Sequence, residues 1–304
     1  MISKSEIDDD RLHAPERVVV SESGSRNHYT NVTVLMIHWI GSLDEDLKAY
    51  IEVTLLAKIF RDDCGYKTLI VQLENKGMSP QLQLDRTISE VVREYDGPCR
   101  THLLIVYYTG HGYVWRAQPN ELIVSGTATA EPSSTKGSFP PNADWTQAAV
   151  PLNSASADTL VILDCCYASN VMNGRLPSTG ARSYELMAAT GKNMLAIQPG
   201  PRSYTHALIN SLRALLQSGC EFSTADLAQG ICELHDYEVK SRLYNRLGGT
   251  ARHIQLAPLE RRSLPTSSRA VHEGGSSLDV RIDLRDQDSL RDGEAKGLDS
   301  EACK

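Results

Sequence analysis

The sequence predicts an α/β fold, with a mostly parallel central sheet of about six strands flanked by helices on both faces. Two observations carry that prediction. Apolar runs recur around Val32–Ile40, Lys67–Gln72, His102–Thr109 and Thr159–Asp164, short and bounded by turn signals, as buried parallel strands are. Segments of helical spacing lie between the first three, and strand–helix–strand alternation is the pattern of right-handed crossover connections.

Taken in order, Val32-Thr-Val-Leu-Met-Ile-His-Trp-Ile40 is a first strand, stopped by Gly41-Ser42. Leu47, Ile51, Leu55 and Ile59 recur every four residues and predict a helix from Asp44 to Phe60. Cys64-Gly65-Tyr66 breaks it before the second strand. A second helix is expected over Leu84–Tyr95, facing inward through Ile88, Val91 and Val92, and Gly97-Pro98 ends it. The third strand follows and runs up to His111. Glu121–Ser125 reads as a short strand, and the stretch from Thr127 to Asn142, rich in Thr, Ser, Pro and Gly, as an exposed loop. After the strand ending in Asp164-Cys165-Cys166, Glu185–Thr190 and Met194–Ile197 are short candidate strands. Tyr204–Leu216 is a helix with Ala207, Leu208, Leu212 and Leu215 on one stripe. Ser223-Thr-Ala-Asp226 resembles a capping box and opens another helix, to about Leu234. Arg252–Leu256 is expected to be the last strand of the core.

Composition narrows the function classes. A hydrophobic share of 41% suffices for a real core, and a net charge of −7 with pI near 5.7 argues against a nucleic-acid surface. No apolar stretch reaches the roughly 18 residues of a membrane span. The acidic N-terminus, Met1-Ile-Ser-Lys-Ser-Glu-Ile-Asp-Asp-Asp, lacks the apolar core of a secretory signal. Seven cysteines without regular spacing do not form a disulfide framework. The expectation is a soluble, cytoplasmic protein without nucleic-acid or membrane partners.

The chemistry gathers where two strands end. His111 stands between Gly110 and Gly112, and Asp164-Cys165-Cys166 closes the later strand. Ligands in open α/β sheets sit beyond the carboxyl ends of the strands. A thiol is mostly protonated at neutral pH, and an imidazole within reach can take its proton and return one to a leaving amine. A glycine after the histidine leaves a backbone N–H free to approach a developing oxyanion. Taken singly, such a histidine or cysteine is more often an ordinary packed residue; delivered together to one sheet edge, they point to a base and a nucleophile. Other motifs fail. Gly110-His-Gly112 leads to Trp115 where a dinucleotide fingerprint needs a third glycine, there is no Walker A sequence or Gly-x-Ser-x-Gly elbow, and Cys232-Glu-Leu-His235 has no second pair to complete a zinc site. Trp39, Trp115 and Trp145 read as core or loop anchors.

Tyr108-Thr-Gly-His111-Gly112 resembles the Tyr-Ser-Gly-His-Gly motif of metacaspases, and Asp164-Cys-Cys166-Tyr-Ala-Ser169 resembles their Asp-Cys/Ser-Cys-His-Ser-Gly motif. The gap between His111 and Cys166 is close to the spacing of about 50 residues between the two in caspases. Glu185–Thr190, the Ser203-Tyr-Thr-His-Ala-Leu-Ile start and Thr250-Ala-Arg-His-Ile-Gln are also similar to the short fungal caspase-like proteins of this clan of cysteine peptidases. The resemblance implies a caspase-like α/β/α sandwich and cleavage of protein or peptide substrates with His111 and Cys166 as the dyad. It makes Cys166, not Cys165, the nucleophile, and the backbone N–H groups of Gly112 and Cys166 the oxyanion donors. It places Asp164 in the pocket that accepts Arg or Lys before the scissile bond. Three departures stand against it. Tyr167-Ala-Ser169 replaces His-Ser-Gly, no acidic cluster matches the family's calcium site, and the connection after Cys166 is short for cleavage into large and small subunits. No cofactor or metal is expected.

The expected organisation is a polar lead-in over residues 1–28, a peptidase domain over 29–259 and a polar tail over 260–304. Within the tail, Leu278-Asp-Val-Arg-Ile-Asp-Leu-Arg alternates with period two, as one further strand does. A rival reading of the same fold is a catalytically silent module used in signalling or assembly.

Overall fold

The computed structural model describes residues 29–115, 118–128, 140–172, 174–177, 181–234, 241–248 and 252–259. The lead-in, the tail and its alternating segment lie outside the described residues. Six strands form the central sheet: β1 (Asn31–Trp39), β2 (Lys67–Leu73), β3 (His102–Thr109), β7 (Asp158–Asp164), β8 (Tyr184–Ala188) and β10 (Arg242–Asn245), in the order β10-β8-β7-β3-β1-β2. All neighbours are parallel except β10, which runs antiparallel to β8. This is the mostly parallel sheet the sequence predicts.

Successive side chains of a strand point to opposite faces, and both faces here are apolar. On one side Val34 and Met36 of β1 pack with Leu56 of α1 (Tyr50–Lys58), Leu208 and Leu212 of α5 (Tyr204–Gln217) and Ile231 of α6 (Thr224–Leu234). On the other, Leu35, Ile37 and Trp39 pack with Leu84 and Ile88 of α2 (Pro80–Tyr95), Trp145 of α3 (Trp145–Ala148) and Leu152 of α4 (Val150–Ser154). The result is three layers, helices on a sheet on helices. Each fully buried leucine of this kind stabilises the fold by about 1.5–3 kcal/mol.

Local chemistry accounts for the helix starts. Ser79 accepts the Leu82 N–H and Pro80 occupies the first turn, so α2 begins four residues before its apolar stripe. Ser203 accepts the His206 N–H at the start of α5. Ser223 and Asp226 exchange reciprocal hydrogen bonds ahead of α6, the capping arrangement expected there.

Several expectations need correction. Helix α1 starts at Tyr50, later than expected, and Ile51 and Leu55 of the four-residue recurrence lie on its exposed side. Glu52, Val53, Leu56 and Ala57 face inward instead. Helical spacing alone admits both stripes; Glu52 decides between them, because its Oε1 accepts hydrogen bonds from Ser203 Oγ (2.6 Å) and Gly200 N–H (2.9 Å) inside the fold. Met194–Ile197 is not a strand but irregular chain. Arg252–Leu256 contributes only β11 (Gln255–Leu256), which pairs with β9 (Phe222–Ser223) outside the central sheet. The last core strand is β10, whose Arg242-Leu-Tyr-Asn is too short and too polar to read as one from sequence.

The third strand also ends earlier than expected. Gly110 takes φ of +146°, in the region open to glycine, and the chain leaves the central sheet there. His111 does not close β3; it opens β4 (His111–Trp115), which pairs with β5 (Gln118–Ser125), itself paired with β6 (Asn142–Asp144), in a separate three-stranded sheet.

Candidate active site

Strands β3 and β7 are neighbours in parallel register, with Thr109 opposite Asp164. His111 lies two residues beyond the first of these and Cys166 two beyond the second, so both emerge at the same edge of the sheet. They line one cavity of about 980 Å³, together with Asp164, Gly112, Trp115 and the segment Leu195–Pro199. A volume of that size is at the upper end of the range of small-ligand pockets.

The histidine is held through its backbone. Tyr108, buried at the end of β3, donates its hydroxyl to the His111 carbonyl (2.8 Å) and accepts the Trp39 indole N–H (3.0 Å). Gly110 N–H reaches the Asp164 carbonyl at 3.4 Å and ties the two strand ends together. Gly112 is required by close approach: a Cβ there would lie 2.5 Å from the Cys166 carbonyl oxygen and 3.0 Å from Cys165 Sγ.

The two adjacent cysteines part as strand alternation demands. Cys165 is 1% exposed and packs into the core, and burial raises its thiol pKa well above the usual range. Cys166 is partly exposed and faces the cavity. Burial pushes the Cys166 thiol up, Asp164 adds to that, and the Ala196 N–H donated to its Sγ (3.3 Å) works the other way. The following turn is fixed by Tyr167 in the left-handed region (φ 61°), its N–H donated to the Met194 carbonyl. Thr190 accepts the Ala168 N–H and donates to the Cys165 carbonyl; Ser169, buried, donates to the Thr190 carbonyl. Tyr167, Ala168 and Ser169 are therefore built into the turn that follows Cys166.

Asp164 is 6% exposed, and burial pushes its carboxyl up to about 7; the Thr205 hydroxyl that it accepts (2.6 Å) opposes the shift, and nearby Glu52 adds to it. Thr205, with its proton given to Asp164, accepts from the Tyr107 hydroxyl (2.6 Å). The second oxygen of Glu52 is buried with no hydrogen-bond partner among the described residues. Of these two inward carboxyl groups, Asp164 lines the cavity.

Three residues come to the site without having been singled out from sequence. Asp46, in the loop after β1, puts Oδ2 2.9 Å from His111 Nε2. Asp44, in the same loop, is 1% exposed and accepts the Ala49 N–H (2.8 Å); burial pushes its carboxyl up to about 6. One oxygen from each and a ring nitrogen of His111 lie within 4.8 Å of one another. Thr205 is the third. Asp44 and Asp46 belong to no local motif; Thr205 lies in the Ser203-Tyr-Thr-His-Ala-Leu-Ile segment, which stands out from sequence only as part of the resemblance.

Comparison with known proteins bears on the fold. No known family's sequence model and no curated protein matches this chain. Among solved structures, the crystal structure of caspase-1 from Spodoptera frugiperda aligns with a TM-score of 0.51 at 14% identity, over 81% of this chain and 98% of that one. A Geobacter sulfurreducens protein aligns with a TM-score of 0.49 at 12% identity, over 72% of this chain and 95% of that one. The fold is caspase-like: a six-stranded, mostly parallel sheet between helices. Among the described residues, no helix is long and apolar enough to cross a membrane.

Proposed function

We propose that the chain is a cysteine endopeptidase that cleaves peptide bonds after Arg or Lys. The observation that carries this reading is that His111 and Cys166, each two residues beyond the end of one of the adjacent parallel strands β3 and β7, line one cavity. His111 takes the Cys166 proton, and the thiolate attacks the scissile carbonyl carbon to form a tetrahedral intermediate. The backbone N–H groups of Gly112 and Cys166 receive its oxyanion. Collapse breaks the C–N bond, and His111 protonates the leaving amine. Water then hydrolyses the thioester, returning the proton to Cys166. A thiol raised by burial is a poor nucleophile alone, which makes the base indispensable.

Asp164 supports specificity for a cationic side chain. Its carboxyl near 7 is poised to ionise fully once a guanidinium or ammonium lies against it, and Glu52 adds negative potential behind it. The reading is tested by incubating the protein with fluorogenic peptides ending in Arg, Lys or Asp, beside a Cys166→Ala control. Release from the basic peptides alone, lost in the control, is expected. Cleavage after Asp overturns the pocket assignment, and no cleavage of any peptide favours the silent signalling or assembly module.

A further inference from the structure

We propose that Asp44, Asp46 and His111 form a site for a divalent cation of zinc type, and that filling it withdraws His111 from base duty. Two observations converge. The three side chains present an imidazole nitrogen and two carboxylate oxygens within 4.8 Å of one another. Independently, Asp44, almost wholly buried, has an Oδ1 with no hydrogen-bond partner among the described residues. His111 Nε2 is likewise enclosed, and its 2.9 Å approach to Asp46 does not complete an aligned hydrogen bond. A buried carboxylate oxygen left without a donor is costly, and a cation satisfies it.

The donor set selects the ion. Calcium and magnesium seek six or more oxygens, whereas one imidazole with two carboxylates suits zinc. Zinc bonds of about 2.0–2.1 Å put tetrahedral ligand atoms about 3.3 Å apart. The His111–Asp46 pair at 2.9 Å need open only slightly, and the widest separation must close by about 1.5 Å. Asp44 is preset by its bond to the Ala49 N–H, while Asp46, 46% exposed, is free to adjust. An Nε2 committed to zinc fixes the ring and bars His111 from becoming imidazolium, so the thiol proton has no acceptor. That consequence rests on the peptidase reading; the binding does not.

The test uses the full, reduced chain and separates the two. Cobalt(II) is titrated as a spectroscopic probe, and zinc by calorimetry, into the unmodified protein, Cys166→Ala, Asp46→Ala and His111→Ala, with melting curves checking each fold. Expected are one ion per chain with tetrahedral visible bands, unchanged in Cys166→Ala, and affinity at least tenfold weaker in Asp46→Ala and in His111→Ala. No binding, equal binding by Asp46→Ala and His111→Ala, or a thiolate-to-cobalt band that vanishes with Cys166 overturns the site. Zinc binding in a chain that cleaves no peptide leaves the site standing and removes the peptidase.

Discussion

A cationic side chain entering the Asp164 pocket should bind with an affinity set by pH. With its carboxyl at about 7, Asp164 is roughly 9% ionised at pH 6 and 91% at pH 8. If only the carboxylate takes the cation, apparent affinity scales with that fraction, so Kd should fall about tenfold between pH 6 and pH 8. The measurement is calorimetry on Cys166→Ala, which binds without turning over, using a short peptide amide ending in Arg. Binding at pH 6 should release close to one proton, visible as a dependence of the heat on buffer. The same peptide ending in citrulline, isosteric and neutral, should show neither effect. Asp164→Asn should weaken the Arg peptide by about 10- to 100-fold, the 1.5–3 kcal/mol of a hydrogen bond to a charged group, and abolish its pH dependence. Arg affinity that is flat with pH, or untouched in Asp164→Asn, refutes the assignment of Asp164 to the pocket.

The remaining predictions concern the fold around the same residues. The Asp164 carboxyl is raised by folding from its ordinary 3.8 to about 7, so it opposes folding progressively as pH rises through that window. Asp164→Asn should therefore gain stability over the unmodified protein between pH 4 and pH 8, by up to about 4 kcal/mol, read as a widening difference in Tm. Iodoacetamide should label Cys166 well before Cys165, because only Cys166 reaches the cavity; mass spectrometry finding Cys165 labelled first would contradict that placement. Gly112→Ala must displace the Cys165–Cys166 turn, costing about 1–3 kcal/mol in chemical denaturation and lowering kcat far more than it changes KM.

What could be read in advance was what sequence encodes locally. The strands β1, β3 and β7 announced themselves as unbroken apolar runs because both faces of a parallel sheet are buried. A histidine between glycines just past β3 and an acid beside paired cysteines at the end of β7 stood out because both lie where an apolar run gives way to residues that can do chemistry. The features that escaped depend on distant partners. Glu52 turns inward because Ser203 and Gly200 meet it 148 or more positions away in sequence, and no pattern in α1 records that. β10 earns its place by pairing with β8 through Tyr244 opposite Leu186, not through its own composition. Asp44 and Asp46 sit in an ordinary-looking Leu-Asp-Glu-Asp-Leu loop, and only the crossing of β1 beside β3 carries them to His111.

The break at Gly110 sets the two reactive residues on different hydrogen-bonded bodies. Cys166 follows directly from the central sheet, while His111 belongs to the small sheet of β4, β5 and β6, joined to the rest of the site through the Tyr108 hydroxyl and the Gly110–Asp164 contact. The small sheet packs into the same core as the central sheet through Leu122, Val124 and Ala143, so the separation is set by side-chain packing between two sheets and not by one hydrogen-bonded ladder. A change that shifts the small sheet moves the imidazole relative to the sulfur and must be absorbed by that shared packing. Substitutions at Leu122, Val124 or Ala143, outside the cavity lining, can for that reason change where His111 stands relative to Cys166.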